Sequence, residues 1–471
     1  MRSFFYLIIV SLLLVLGCQK YKAKPIDRKK VISDADLQLN QLEHLVPLDQ
    51  PVTFKMLLEA VSQNNTDLQL IKAQYLLQEK YAKIKAPLAN PQIGVGLKKG
   101  FSVVDVTKNL TQPFVTLGFT IPLWGKRKLA QDLEFKEAEA TQQEYVILHR
   151  NIYLDLRQVY TNIRINTHQL IILKDLLNFL DLEFKIAEKQ MLQGQLSLLD
   201  VGQIKAEYEQ SISDKLAVEH KLVLLYSKLG SISGLSSKLL QRLEIPPFEV
   251  HSGSLPTHEE ALVLLTENSP LLNRLHAKYD IAEKSLELEI RKQYPDLKLD
   301  GGFEKEPGVA AKYLGLSLGM ELPIFDRNQK GILLAHQKRE QILLAYQLGA
   351  RQSILEMDNA LEMIKSAEIQ LNSIQRNQMN TYANNYELAK REYQINQIDK
   401  VEMIRARKAF YEINKEYLRL LESYYQHCVT LSSTLGSALF DQGRLLIPTE
   451  PNEMPTAKDI HNLKENSNDK K

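Results

Sequence analysis

Turn formers are scarce: the chain of 471 residues holds only 20 Gly and 17 Pro, which makes long helices, not a turn-rich fold, the first expectation. Cysteine is nearly absent. Cys18 and Cys428 stand about four hundred residues apart, too few and too distant to build a disulfide framework or a thiolate zinc site by themselves. Neither sign of charge dominates: 59 Lys+Arg face 57 Asp+Glu, the net charge is +2, and no dominant basic block offers the positive face that nucleic-acid binding needs. Also missing are a phosphate-cradling Gly-Lys-Ser/Thr loop, a His-Glu-x-x-His helix and a nucleophile elbow, which leaves an enzyme without a visible centre. The nine Met are scattered and the ten His form no close pair at helical spacing, so no metal ligand, catalytic residue or cofactor is assigned.

What is present begins at the N-terminus. Arg2 precedes an apolar run from Phe4 to Leu16, too short for a comfortable membrane span and the right length for the core of an export signal. The run ends in Val15-Leu16-Gly17-Cys18, a small residue followed by Cys, and resembles a bacterial lipobox. Residues 1–17 are then a lipoprotein signal peptide and Cys18 the lipidated first residue of the mature chain, stably held once several acyl chains are attached. Gln19 follows the Cys, and the lack of Asp there resembles the bacterial sorting signal for the outer rather than the inner membrane, which is therefore the expected location. Residues 18–52 show little periodicity and read as an extended segment, and residues 447–471 as a polar tail.

The remainder repeats. A shift of 204 residues pairs Thr53 with Thr257, Asn64 with Asn268, Tyr75 with Tyr279, Glu79 with Glu283 and Pro91 with Pro295. A shift of 201 pairs Leu117 with Leu318, Gly118 with Gly319 and Pro122 with Pro323. The period is too long for a solenoid, so residues 53–250 and 251–446 are read as two copies of one topology. Each opens with a helix, Thr53 to about Ala86 and Thr257 to about Lys292, the second with a capping box at Thr257-His258-Glu259-Glu260.

The periodicity then changes to two. Ile93, Val95 and Leu97, then Val115, Leu117, Phe119 and Ile121, alternate with small or polar residues, as do Leu297, Leu299 and Phe303, then Leu314, Leu316, Leu318 and Met320. These are two hairpins of strands about ten residues long, the length a tilted strand needs to cross a bilayer. The opposite face carries Lys298, Asp300, Glu304 and several Thr, Ser and Gly, as a lumen requires. Open strand edges are forbidden in lipid, and four strands close no barrel, so an oligomer sharing one barrel is expected.

Long helical patterns follow each hairpin. Ile152, Leu156, Val159, Ile163, Leu170, Leu173, Leu177, Leu180, Phe184 and Met191 repeat near 3.5 residues, the coiled-coil period. The chain turns at Gly194 and returns through Val201, Ile204, Tyr208, Ile212 and Leu216; the second copy runs from Ile354 through Met357, Leu361, Ile364, Leu371 and Ile374 to a turn near Asn396.

With these marks the chain resembles the TolC-type outer-membrane efflux proteins over nearly all of its length after the signal. Ile121-Pro122-Leu123-Trp124-Gly125-Lys126-Arg127 and Leu322-Pro323-Ile324-Phe325-Asp326-Arg327-Asn328 resemble the strand-to-helix exits of the two repeats, and Leu192 to Asp200 resembles the helix-turn-helix tip. The resemblance implies a mainly α fold with membrane β: a homotrimer whose twelve strands form a barrel in the outer membrane, continued by an α-helical barrel into the periplasm. It also implies a periplasmic adaptor and an inner-membrane pump as partners, with the chain a passive duct for metal ions or small toxic compounds. The exits and the lipobox point to the lipoprotein branch serving resistance-nodulation-division pumps, the heavy-metal exporters among them. The alternatives are a lipid-anchored coiled-coil adaptor, expected to carry one hairpin between soluble β domains, and a type I secretion duct.

The resemblance also places Asp200 and Tyr393 at the periplasmic gate, as a hydroxyl-to-carboxylate latch. A basic partner common just after the second turn is missing: Ile398 stands there, with Lys400 nearby. Gly194 and Asn396, both tolerant of positive φ, together with Ser197 and Asp399 make the tips where an adaptor would dock. Pro122, Trp124, Gly125, Pro323, Phe325 and Asp326 are the exit residues.

Overall fold

A computed structural model describes residues 21–45, 53–100, 110–242, 255–305 and 312–437. Cys18, the signal peptide, the polar tail and the junction between the repeats lie outside the described residues. The chain divides into two units, Met1–Gln50 and Pro51–Lys471.

The first unit contains α1, Arg28–Leu45, where the sequence suggested an extended segment. Asp27 Oδ1 accepts from the backbone N–H groups of Lys29 and Lys30 at 3.1 and 3.3 Å, a local start signal. Its side chains from Arg28 to Leu39 are all exposed, including Ile32, Ala35 and Leu39, which share one face at helical spacing over too short a stretch to stand out in the sequence.

In the second unit the elements follow the duplication. α2 (Phe54–Asn64) and α3 (Thr66–Lys83) lead into β1 (Gln92–Gly100), β2 (Leu110–Ile121), the 67-residue α4 (Lys126–Leu192), α5 (Leu198–Ser233) and the single turn α6 (Ser237–Leu240). The second copy gives α7 (His258–Asn268), α8 (Pro270–Arg291), β3 (Leu297–Lys305), β4 (Lys312–Met320), α9 (Gln329–Ser373), a π-turn (Ile374–Gln378), α10 (Met379–Gln394) and α11 (Lys400–Leu435). At 1.5 Å per residue α4 alone spans about 100 Å.

Each opening helix, expected unbroken, is in fact two. Asn65 breaks the first by capping α3, accepting at Oδ1 from the Leu68 N–H at 3.0 Å while its Nδ2 donates to the Ile232 carbonyl at 2.9 Å. Ser269 breaks the second, with Pro270 as the first residue of α8, the position where a missing N–H does no harm. Both breaks receive the end of the same copy's hairpin: Gly234 (φ 70°) abuts Asn64 and Gly436 (φ 64°) abuts Asn268, where a Cβ would collide with backbone. The Thr257 capping box forms as expected, and Thr53 caps α2.

The four strands form one antiparallel sheet in the order β1-β2-β3-β4, with β1 and β4 as open edges. Ile93 pairs with Leu117 and Leu297 with Met320, so Leu117 and Met320 are structural counterparts. The shift in β2 and β4 is therefore 203, two more than the sequence match, and the helices after them, starting at Lys126 and Gln329, keep it. The structural counterpart of Pro122 is therefore Phe325 and not Pro323.

α4 and α5 pack as the expected coiled coil, burying Ile152, Leu156, Val159, Ile163, Leu173, Leu177 and Leu180 against Val201, Ile204, Val218, Leu222 and Leu229. Two expectations fail. Leu216 is exposed while Ser211 and Val218 are buried, because the seam of α5 keeps a seven-residue repeat from Ile204. For the same reason Ser353, not Ile354, faces inward four residues before Met357. Cys428 is fully buried and its thiol pushed up by that burial, the packing residue expected.

Candidate functional site

The sheet has its polarity reversed relative to a soluble protein. Val95, Leu97, Leu314, Leu316 and Leu318 are each more than 70% exposed in the protomer, all on one face. No core of a water-soluble domain leaves such a row open. On the other face, bulky side chains lie across glycines: the Phe114 ring covers Gly96 and the Asp300 carboxylate lies over Gly118, in space a Cβ would take. Lys98 pairs with Glu304 at 2.9 Å and stands over the Phe114 ring, and Lys298 pairs with Glu321. Among the described residues of this face, two lysines meet three carboxylates.

At the lower end of the sheet the exits turn the chain into the helices. Trp124 and Gly125 adopt positive φ (60° and 75°), which aims α4 away from β2. Trp124 Nε1 donates to the Pro295 carbonyl at 3.1 Å and its ring packs 5.4 Å from Tyr294; Lys126 Nζ reaches the Tyr294 carbonyl at 2.6 Å and Asp296 Oδ1 at 2.8 Å. The first exit is thus bolted to the helix-to-strand turn of the second copy. Among the described residues of one protomer, the second exit meets no corresponding helix-to-strand turn of the other copy. Leu322, Ile324 and Phe325 stand exposed, Phe325 at 96%; Asp326 Oδ1 accepts from the Asn328 N–H at 2.8 Å, and Asn328, at φ 58°, caps α9 and donates from Nδ2 to Glu289. Pro323 offers its carbonyl to Arg327 Nε at 3.2 Å, and Pro122 leaves β2 without a ladder N–H.

At the far end the tips match. Gly194 and Asn396 both carry the positive φ expected (73° and 59°). Ser197 and Asp399 are the N-caps of α5 and α11. Asp200 is drawn into its own helix: Ser197 Oγ donates to its Oδ2 at 2.6 Å, and the Asp200 N–H returns a bond to Ser197 Oγ at 3.1 Å. Among the described residues of one protomer, Asp200 and Tyr393 share no hydrogen bond. Tyr393 instead lies beneath Lys400, 5.6 Å from Nζ to ring centre. Lys400 is 3% exposed and forms an ion pair with Glu183 Oε2 at 2.9 Å, two residues beyond Ile398.

Sequence reasoning missed this pair and the ladder that continues it. Arg407 meets Asp175 and lies over the Tyr386 ring; Lys408 meets Glu207, Lys415 meets Asp214 at 3.5 Å, and Lys221 meets Glu422 at 2.6 Å. Burial pushes the Tyr386 hydroxyl up, with Arg407 opposing, and pushes Tyr411 up to about 12. The signal was available: Glu207, Asp214 and Lys221 recur every seven residues, as do Lys408, Lys415 and Glu422, 201 residues later and with opposite charge. Among the described residues no cluster of three His, Cys, Asp or Glu is placed to hold a metal ion, and no helix is long and apolar enough to cross a membrane.

Residues 57–234 match the model of a family described as outer membrane efflux protein. The cation efflux system protein CusC of Escherichia coli K12 is 22% identical over 397 residues, covering 81% of this chain and 86% of the relative. The cobalt-zinc-cadmium resistance protein CzcC of Cupriavidus metallidurans is 20% identical over 342 residues, 71% of this chain and 79% of the relative. Among solved structures, CusC superposes with a TM-score of 0.67 at 18% identity, over 82% of this chain and 92% of that one. The CmeC outer membrane channel of Campylobacter jejuni superposes with a TM-score of 0.69 at 16% identity, over 96% and 94%.

Proposed function

The chain belongs to the outer membrane efflux protein family, and from that premise we propose how it works and what it carries. It is an outer-membrane channel reaching into the periplasm, the exit duct of a tripartite efflux system, and not an enzyme. The carrying observation is the aliphatic row exposed on one face of a sheet with two open edges. Lipid accepts such a face and forbids such edges, so protomers close the sheet between them. Three copies give the twelve-stranded barrel, anchored in addition by acylated Cys18. The charged and glycine-rich face lines the lumen, and the helical hairpins form the periplasmic tunnel. Two membrane-length hairpins each followed by a long helical hairpin favour a duct over an adaptor.

The tips at Gly194, Ser197, Asn396 and Asp399 are the docking surface for a periplasmic adaptor, which brings an inner-membrane pump as the energy source. Tyr393 belongs to the gate through Lys400 and Glu183; Asp200 acts across the protomer boundary or serves its cap alone. Replacing Asp200 by Ala raises leak of large antibiotics in the first case, and unchanged permeability removes it from the gate.

Heavy-metal cations are the cargo this reading favours. Support comes from relatives named for cation efflux and for cobalt, zinc and cadmium resistance, and from the excess of carboxylate over lysine on the lumen face. Deleting the gene and measuring growth on copper, silver, zinc, cobalt, detergents, dyes and antibiotics tests it. Sensitivity confined to metals supports the cation reading; sensitivity confined to organic compounds makes this a drug duct.

A further inference from the structure

The near balance of charge over the whole chain conceals a local concentration. Between Tyr21 and Val31 stand Lys22, Lys24, Arg28, Lys29 and Lys30, against the single carboxylate of Asp27. All six side chains are exposed, and none of the five cations has an ion-pair partner among the described residues. This short segment outweighs the +2 of the entire chain, so the remainder is net negative.

The arrangement opposes the local physics. Arg28, Lys29 and Lys30 occupy the first turn of α1, where the helix dipole already presents positive charge and where no acidic side chain stands. Asp27 is committed to the backbone of Lys29 and Lys30. An external anion relieves the repulsion, and the place of the segment in the chain says which. Cys18 precedes Lys22 by four residues and Lys24 by six, so even fully extended chain keeps them within about 14 and 22 Å of an acylated cysteine. Phospholipid phosphates lie inside that reach, and their attraction for cations acts over about a Debye length. A lipid chain joined to a polybasic stretch is also the combination that makes anchoring firm.

We propose that Lys22, Lys24, Arg28, Lys29 and Lys30 bind the headgroups of anionic phospholipids in the leaflet that holds the Cys18 anchor. Tyr21 and Ile26, exposed among the cations, supply apolar groups that enter the headgroup layer. The inference rests on the reading of Cys18 as lipidated and of the chain as an outer-membrane channel.

The test uses the full-length chain, expressed with its signal and reconstituted into phosphatidylcholine vesicles, with spin-labelled phosphatidylglycerol or spin-labelled phosphatidylcholine as the probe. The mass of the N-terminal peptide is measured first, so a failure of the anchor reading shows itself separately as an absent acyl mass. The expected result is a preference for phosphatidylglycerol that falls at least fivefold when all five cations become Gln, since each contacting cation contributes about fivefold. The preference also falls in about 1 M salt, where the Debye length shrinks to about 3 Å. Replacing the four lysines by Arg retains it. A preference that survives the Gln substitutions lies in the barrel and overturns the proposal; loss in the Arg variant overturns it as well, because charge is then not the cause.

Discussion

Lys400 is buried beside the second tip in an ion pair with Glu183, and removing it has a calculable effect. Its ammonium stands at the first position of α11, where the helix dipole repels a cation, and it is buried there by 97% of its surface, 2.9 Å from Glu183 near the end of α4. The pair ties the second tip to the first hairpin. Replacing Lys400 by Met leaves the Glu183 carboxylate buried without a counter-charge, and Glu183→Leu does the reverse. Breaking one partner of such a pair costs about 3–5 kcal/mol, whereas replacing both by apolar groups of similar volume is close to neutral. At about 1.4 kcal/mol per factor of ten, either single change raises local opening of the tip by about a hundredfold or more. The effect is local because α10, between the π-turn and the tip, buries only Ala389 and unfolds at little cost to the rest. Hydrogen exchange of residues 379–405 in the purified oligomer, together with entry of a large antibiotic into cells, reads it. Both rise in Lys400→Met and Glu183→Leu and return towards the parent in the double variant. Unchanged exchange in the single variants, or additive damage in the double, refutes the clasp.

The remaining expectations concern other parts of the molecule. If β4 meets β1 of a neighbour as β2 meets β3, Leu97 faces Met320 across the boundary, and the pair Leu97→Cys with Met320→Cys crosslinks protomers on oxidation; crosslinking through Gly319→Cys instead would place the register one residue away and the aliphatic face in the lumen. Gly436→Ala places a methyl against the Asn268 backbone at positive φ and lowers stability to chemical denaturation by at least about 2 kcal/mol, while Gly202→Ala, in open space within α5, lowers nothing. Burial holds the His149 imidazole below its ordinary value of 6.5; the unfolded chain therefore binds the proton first, stability falls as pH drops below 6.5 towards the folded value, and His149→Gln flattens that loss in melting curves taken from pH 7 to 5. Asp300→Asn removes one lumen carboxylate per protomer and reduces the cation-over-anion permeability ratio in planar bilayers, where an unchanged ratio would take Asp300 out of the conduction path.

The parts of this molecule legible in its sequence are those where one periodicity acts alone. The alternation of Leu314, Leu316 and Leu318 admits a single reading, and so does the seven-residue seam from Leu156 to Leu180. Gly194 and Asn396 were legible because positive φ selects few residue types. The breaks at Asn65 and Ser269 were obscured because their causes lie elsewhere in the chain, in the hairpin ends at Gly234 and Gly436 that press against them. The Lys400–Glu183 clasp joins residues more than two hundred positions apart, and neither stands out locally, since each carries an ordinary charge on a helix full of charges. α1 escaped for a different reason: its apolar period, Ile32, Ala35 and Leu39, is short, and these residues are exposed.

The duplication itself explains why the protomer is incomplete. A chain made of two like halves offers two exits and two helix-to-strand turns, and within one copy only the first exit can reach the turn of the second half, where Trp124 and Lys126 seal it to Tyr294, Pro295 and Asp296. The second exit and the first turn are left over at opposite edges of the sheet. Their exposed residues agree with that: Leu322, Ile324 and Phe325 at one edge, Leu88 and Ile93 at the other. β2, flanked on both sides, runs 12 residues, whereas β4, with one open edge, stops at nine, although Leu322 and Ile324 continue its alternation. A neighbouring first half supplies the missing partner for the strand and its exit together, and repeating the operation closes a ring. The open edges of the sheet and the exposed second exit are therefore one feature, the unfilled half of a contact that the chain makes once with itself.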